Sequence, residues 1–153
     1  MLTIKERSEL PDGNIVNAPE QTITITINLE GVAGAGVAKS MRDDLPEVYV
    51  KYRKACNLGL LSPNSLTTVK FGEGKQALLF PTKILWRNPS PKEMVMDNLK
   101  RLGEIYERLG ITSLAFVPPG MSNGWLRGND KKEVWDFLVK TLESMDIPVV
   151  LYK

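Results

Sequence analysis

The clearest pattern in the chain is the strict alternation from Gln21 to Asn28, with Ile23, Ile25 and Ile27 on one side and Thr22, Thr24 and Thr26 on the other. Period-two alternation of β-branched residues predicts a strand. A shorter strand is expected at Leu2–Lys5, followed by a polar turn through Pro11-Asp12-Gly13-Asn14. Beyond Asn28 the spacing becomes helical. A helix should begin near Gly36 with Val37, Ala38 and Met41 on its buried side. Pro46 suits the first turn of a second helix, where Val48, Tyr49, Tyr52 and Cys56 recur at helical spacing and Gly59 lies past the end.

Residues 65–82 read as two strands joined by a Gly72-Glu73-Gly74-Lys75 turn. Ser90-Pro91-Lys92-Glu93 has the form of a capping box and predicts a long amphipathic helix stopping at Gly110. A strand over Ile111–Val117, a helix capped by Asp130-Lys131-Lys132-Glu133 and running to Ser144, and a strand over Ile147–Tyr152 complete the order. Strands alternating with helices, without repeats or linkers, predict one α/β layered domain over residues 1–153 with a largely parallel sheet. Such sheets bind ligands beyond the carboxyl ends of their strands. Three loops fall there: 28–36, 81–87 and 118–128.

Composition narrows the chemistry. The net charge of +2 is too small to argue for nucleic-acid binding by itself. No apolar run is long enough for a membrane span, and the N-terminus lacks the apolar centre of a signal peptide. A cytoplasmic protein without membrane contact is expected. The single Cys56 excludes an internal disulfide framework. There is no histidine, which removes Ser-His-Asp and Cys-His nucleophiles and histidine metal sites. No metal or cofactor is expected, and catalysis falls to Lys, Asp, Glu, Tyr, Ser, a bound water or the substrate.

Gly31, Gly34 and Gly36 surround the start of a helix, whose free N–H groups and dipole attract anions. Two readings stand: a diphosphate cradle, or a tight bend with no ligand. The run matches neither the dinucleotide fingerprint nor the Walker loop. Pro118–Gly128 is a second glycine-rich loop before a helix, able to clamp a diphosphate from the other side; its Trp125 either stacks on a ring or plugs the sheet edge. Lys83, just past an apolar strand, is either an exposed charge or a partly buried amine able to attack a sugar carbon.

Together, "GNI", "TINLEGVAGAGVA", "LPEVYVKYRKACNLGLLSP", "FPTKILWRNPS" and the closing "LYK" resemble a macro domain. The resemblance is to the branch of DarG-type antitoxins and lysine-dependent terminal ADP-ribose glycohydrolases. It covers nearly the whole chain, and the spacing from Gly13 to Asn28 matches without a gap.

It implies a three-layer α/β/α domain with a six-stranded mixed sheet and an ADP-ribose cleft. Asn14 and Ile15 would border the adenine, and Asn28 would orient the distal ribose. Gly31, Val32, Gly34, Ala35, Gly36 and Val37 would form the first phosphate loop. Pro119, Gly120, Ser122, Asn123, Gly124 and Trp125 would form the second. Pro81 and Thr82 would lead to the catalytic Lys83. The implied activity is removal of ADP-ribose from a macromolecule, DNA (thymidine) before protein, by attack of the lysine on the anomeric carbon. Turnover of ADP-ribose 1″-phosphate, or ADP-ribose binding without catalysis, are the alternatives.

Three departures from the family pattern accompany this. Asn14 stands where Asp is usual, the second loop keeps only part of a Gly-Cys-Gly run, and the acid nearest Trp125 is Asp130. The DarG-type enzymes also lack an acid in that loop, which favours the DNA-linked substrate. Arg87, Lys51, Arg53 and Lys54 are then candidates for phosphate contacts, in a chain expected to be a monomer.

Overall fold

The computed structural model describes residues 1–120 and 126–153. Its elements, in chain order, are β1 Leu2–Lys5, β2 Thr22–Ile27, α1 Gly36–Asp44, α2 Pro46–Asn57, β3 Thr67–Phe71, β4 Lys75–Pro81, α3 Lys92–Ile105, β5 Leu114–Phe116, α4 Gly128–Glu143 and β6 Val149–Tyr152. The strands form one six-stranded sheet in the order β1-β6-β5-β2-β4-β3. Every neighbouring pair is parallel except β3 with β4, so the sheet is mixed.

The pleat divides the core into two layers. Leu78 and Phe80 of β4 and Leu114 and Phe116 of β5 pack with Val95, Leu99 and Leu102 of α3 and Val134 and Leu138 of α4. Phe80 and Phe116 meet edge to face, with ring centroids 5.4 Å apart. The alternate residues Ala77 and Leu79 of β4 and Ala115 of β5 join Ile23, Ile25 and Ile27 under Met41 of α1 and Val48 and Tyr52 of α2. This is a three-layer α/β/α fold. Helices on both faces also explain why the threonine side of β2 is buried: Thr22 accepts a 3.0 Å bond from Gln76 Nε2 within the α3/α4 layer.

The structure corrects four local expectations. Ser90 does not cap α3: Pro91 is the N-cap residue, and the buried Ser90 Oγ has no hydrogen-bond partner among the described residues. That helix ends at Ile105, before Gly110, and α4 starts at Gly128, so that Asp130 lies inside its first turn. The expected polar turn before β2 is a run of three single 3-10 turns, Arg7–Glu9, Pro11–Gly13 and Ile15–Asn17. Among the described residues, no helix is long and apolar enough to cross a membrane.

Candidate functional site

The carboxyl ends of β1, β2, β4 and β5 open into one cleft with a cavity of about 320 Å³. Parallel pairing brings these ends together, because each strand delivers its following loop to the same edge of the sheet. The floor is Thr26 and Ile27 of β2, and Val117 and Pro118 close the side below β5. Val32, Gly34, Ala35, Gly36, Val37 and Ala38 form one wall, and Thr82, Lys83 and Trp86 form another. The described lining carries two cationic side chains, Arg7 and Lys83, and no acid.

The glycines of the first loop separate into two kinds. Gly31 has φ +81°, a conformation that favours glycine, while a Cβ there would make only ordinary contact with Arg53 and Cys56 of α2 at 3.4 and 3.5 Å. Its reason is internal, the left-handed turn of the backbone, and it does not line the cavity. Gly34 has no such reason, and a Cβ there would meet nothing within 4 Å. A side chain at Gly34 would extend into open space in a segment that lines the cleft. Next to it, the N-cap Ala35 provides no side-chain cap, so the first N–H groups of α1 have no side-chain acceptor at the cleft wall.

Asn28 holds this loop in shape. Its Oδ1 accepts from the N–H groups of Glu30 (3.0 Å) and Val32 (3.2 Å) and from the Tyr52 hydroxyl (3.0 Å), while Nδ2 donates to Val32 O at 2.8 Å. The same hydroxyl lies 2.8 Å from Asn28 O. Burial keeps Tyr52 protonated far above the ordinary phenol range, so it remains a donor. Among the described residues, one N–H of the Asn28 amide is left for a ligand.

Lys83 is 9% exposed. Its Nζ donates to Trp86 O at 3.2 Å, and burial pushes its ammonium below the ordinary lysine range. That makes the neutral, nucleophilic amine easier to reach. Two links tie the lysine's loop to the Asn28 loop: Leu29 N–H to Ile84 O at 3.1 Å, and Trp86 N–H to Glu30 Oε1 at 2.8 Å.

Of the residues singled out in the sequence, Asn28, Val32, Gly34, Ala35, Gly36, Val37, Thr82, Lys83 and Gly120 line the cleft. Pro81 lies in β4 with its carbonyl accepting from Asn98 at 2.9 Å, and Pro119 is buried; neither lines it. Nor do Asn14 and Ile15. Ile15 sits in the core, and the Asn14 carboxamide is spent on Asp44 (2.7 Å) and on Val16 N–H (3.2 Å). An aspartate at position 14 would set two carboxylates against each other, which gives Asn14 a reason of its own. Ser122, Asn123, Gly124 and Trp125 lie outside the described residues. Sequence reasoning missed Arg7, Thr26, Ile27, Ala38, Trp86, Val117 and Pro118 as lining residues.

A mixed sheet between two helical layers, with a glycine-rich loop over the carboxyl ends of its strands, is the architecture of the macro domains. No family model matches the chain. It is 31% identical to the macrodomain of Thermus aquaticus DarG, with a TM-score of 0.86 over 100% of this chain and 98% of that one. It is 29% identical to the macrodomain of Mycobacterium tuberculosis DarG, with a TM-score of 0.85 over 99% and 98%. Thermosipho africanus DarTG in complex with ADP-ribose is 28% identical, with a TM-score of 0.85 over 99% of this chain and 41% of that one.

The chain belongs to the macro domain family, in its DarG-type branch. Among curated proteins it is 32% identical over 138 residues to the DNA ADP-ribosyl glycohydrolase of Thermus aquaticus, covering 88% of this chain and 38% of that protein. The chain spans about two fifths of the length of the curated relatives it matches.

Proposed function

We propose that the protein is an ADP-ribosyl hydrolase that removes ADP-ribose from DNA, with thymidine as the acceptor, through Lys83. The observation that carries this is a buried lysine with a depressed pKa in a cleft whose opposite wall is an uncapped helix N-terminus and an open-sided glycine. A diphosphate fits that wall and a sugar fits beside the amine. The names of the curated relatives and the ADP-ribose in the Thermosipho africanus complex support the substrate class.

The chemistry runs as follows. The neutral Lys83 amine gives its electron pair to the anomeric carbon of the distal ribose. The bond from that carbon to the acceptor base breaks, and the base leaves with that pair and takes up a proton. The adduct nitrogen gives one proton to the departed base; its lone pair then forms an imine as the bond from the anomeric carbon to the ring oxygen breaks, and that oxygen takes the nitrogen's other proton. Water adds to the imine carbon and expels the amine, and the freed hydroxyl closes the ring again. ADP-ribose and the restored base are released, with one water consumed. The remaining N–H of Asn28 orients the ribose. Trp86, half exposed beside Lys83, offers a face for the acceptor base, and exposed Lys51, Arg53, Lys54 and Arg87 take phosphates of the strand. The second loop, Ser122 to Trp125, completes the diphosphate clamp. The protein acts as a monomer in the cytoplasm.

The test measures release of ADP-ribose from modified DNA and from modified protein, together with ADP-ribose affinity, in wild type and Lys83→Ala. The proposal expects release from DNA by wild type, and a variant that binds ADP-ribose and releases none. A variant as fast as wild type would overturn the lysine mechanism. Binding by wild type without release from any substrate would make the protein an ADP-ribose binder.

A further inference from the structure

Arg7 has no role in the chemistry above, yet it lines the same cavity. Its main chain is pinned: its N–H donates to Lys153 O at 2.9 Å and its carbonyl accepts from Leu10 N–H at 3.0 Å. Its head group is not, since Nε is buried with no hydrogen-bond partner and the guanidinium joins no ion pair among the described residues. A buried donor without an acceptor is costly to keep, and a ligand can supply the acceptor.

Sheet order says which part of a ligand that is. Arg7 follows β1 and Lys83 follows β4, and four inter-strand steps separate these strands, about 19 Å at about 4.8 Å each. The anion-attracting start of α1 lies between them. A ligand with a sugar at Lys83 and a diphosphate on α1 must send its other end toward Arg7, and ADP-ribose spans a comparable length. The other walls on that side, Val37, Ala38, Val117 and Pro118, are apolar and suit a flat ring better than a phosphate.

Resting on the proposed function, we infer that Arg7 clamps the nucleoside end of the ligand, stacking its guanidinium plane on adenine and donating the in-plane Nε–H to an oxygen of the adjoining ribose. Planarity and an edge of fixed donors make arginine fit for that contact in a way lysine is not.

The experiment is titration calorimetry with ADP-ribose on wild type, Arg7→Ala and Arg7→Lys, paired with saturation-transfer NMR of the bound ADP-ribose. Thermal melts confirm that each variant is folded. Arg7→Ala should bind about tenfold more weakly, Arg7→Lys should recover little of that, and the adenine H2 and H8 signals should fall relative to the distal ribose protons. Unchanged affinity would overturn the inference. So would full recovery by Arg7→Lys, or weaker binding with the adenine-to-ribose ratio unchanged, because either assigns Arg7 to the phosphates. If wild type fails to bind ADP-ribose, the functional reading itself falls and takes this one with it.

Discussion

Lys75 and Lys83 bracket the same strand. One is the first residue of β4 and the other lies two residues past its last. Burial depresses the pKa of both. Their surroundings differ. Lys75 Nζ donates to Ala18 O at 2.7 Å and Glu20 O at 2.6 Å and lines no part of the cleft, tying the chain before β2 to the sheet. Lys83 faces the cavity, among groups suited to a sugar and an anion. A depressed pKa therefore marks two lysines, and only position distinguishes the structural one from the candidate nucleophile.

Substitution should separate them further. Lys83→Ala should lower turnover by about a thousandfold, the scale of a lost nucleophile, while Lys75→Ala leaves the rate of the folded enzyme within about twofold. The reverse holds for stability. Lys75→Met strips two carbonyls of their donor and should cost about 2 kcal/mol, roughly thirtyfold in the folding equilibrium measured by urea titration. Lys83→Met takes the donor from Trp86 O, a longer bond at 3.2 Å, and should cost about 1 kcal/mol.

A pH series sharpens the contrast. Turnover should rise about tenfold per pH unit while Lys83 is mostly protonated, then level below the ordinary lysine value of about 10.4, and Lys75→Ala should not move that midpoint. For both lysines the folded pKa is lowered, so the unfolded chain holds more protons between the lowered value and about 10.4. Their contribution to stability therefore rises with pH across that window. The smallest effect belongs to Tyr52→Phe, which removes the hydroxyl bonded to Asn28. It should raise KM about threefold to fivefold with little change in kcat.

How much of this was legible in the sequence depended on how local the signal was. The threonine-isoleucine alternation places β2, and Pro46 and Gly59 bracket α2, because each rests on neighbours within a few residues. The first loop was legible too, since glycines at a strand-to-helix junction have few explanations. Arg7 was not. It lies in three short turns without periodicity, and the parallel pairing of β1 with β6 puts it beside the cleft. Asn14 misled for a similar reason: its partner Asp44 is thirty residues away. The Ser90 box failed because Pro91, with φ −66° and ψ 127°, is itself the N-cap, which leaves serine outside the helix.

The links between the loops after β2 and β4 also bear on thermodynamics. Leu29 N–H to Ile84 O continues the strand pairing beyond the sheet, and the Glu30 carboxylate adds a bond from Trp86 N–H, so both walls of the cleft are ordered when the chain folds. Entropy that a slack loop would surrender on meeting its ligand has already been surrendered. Binding energy from the cleft walls can then appear as affinity, and the ligand's residence time is set by the contacts it breaks on leaving.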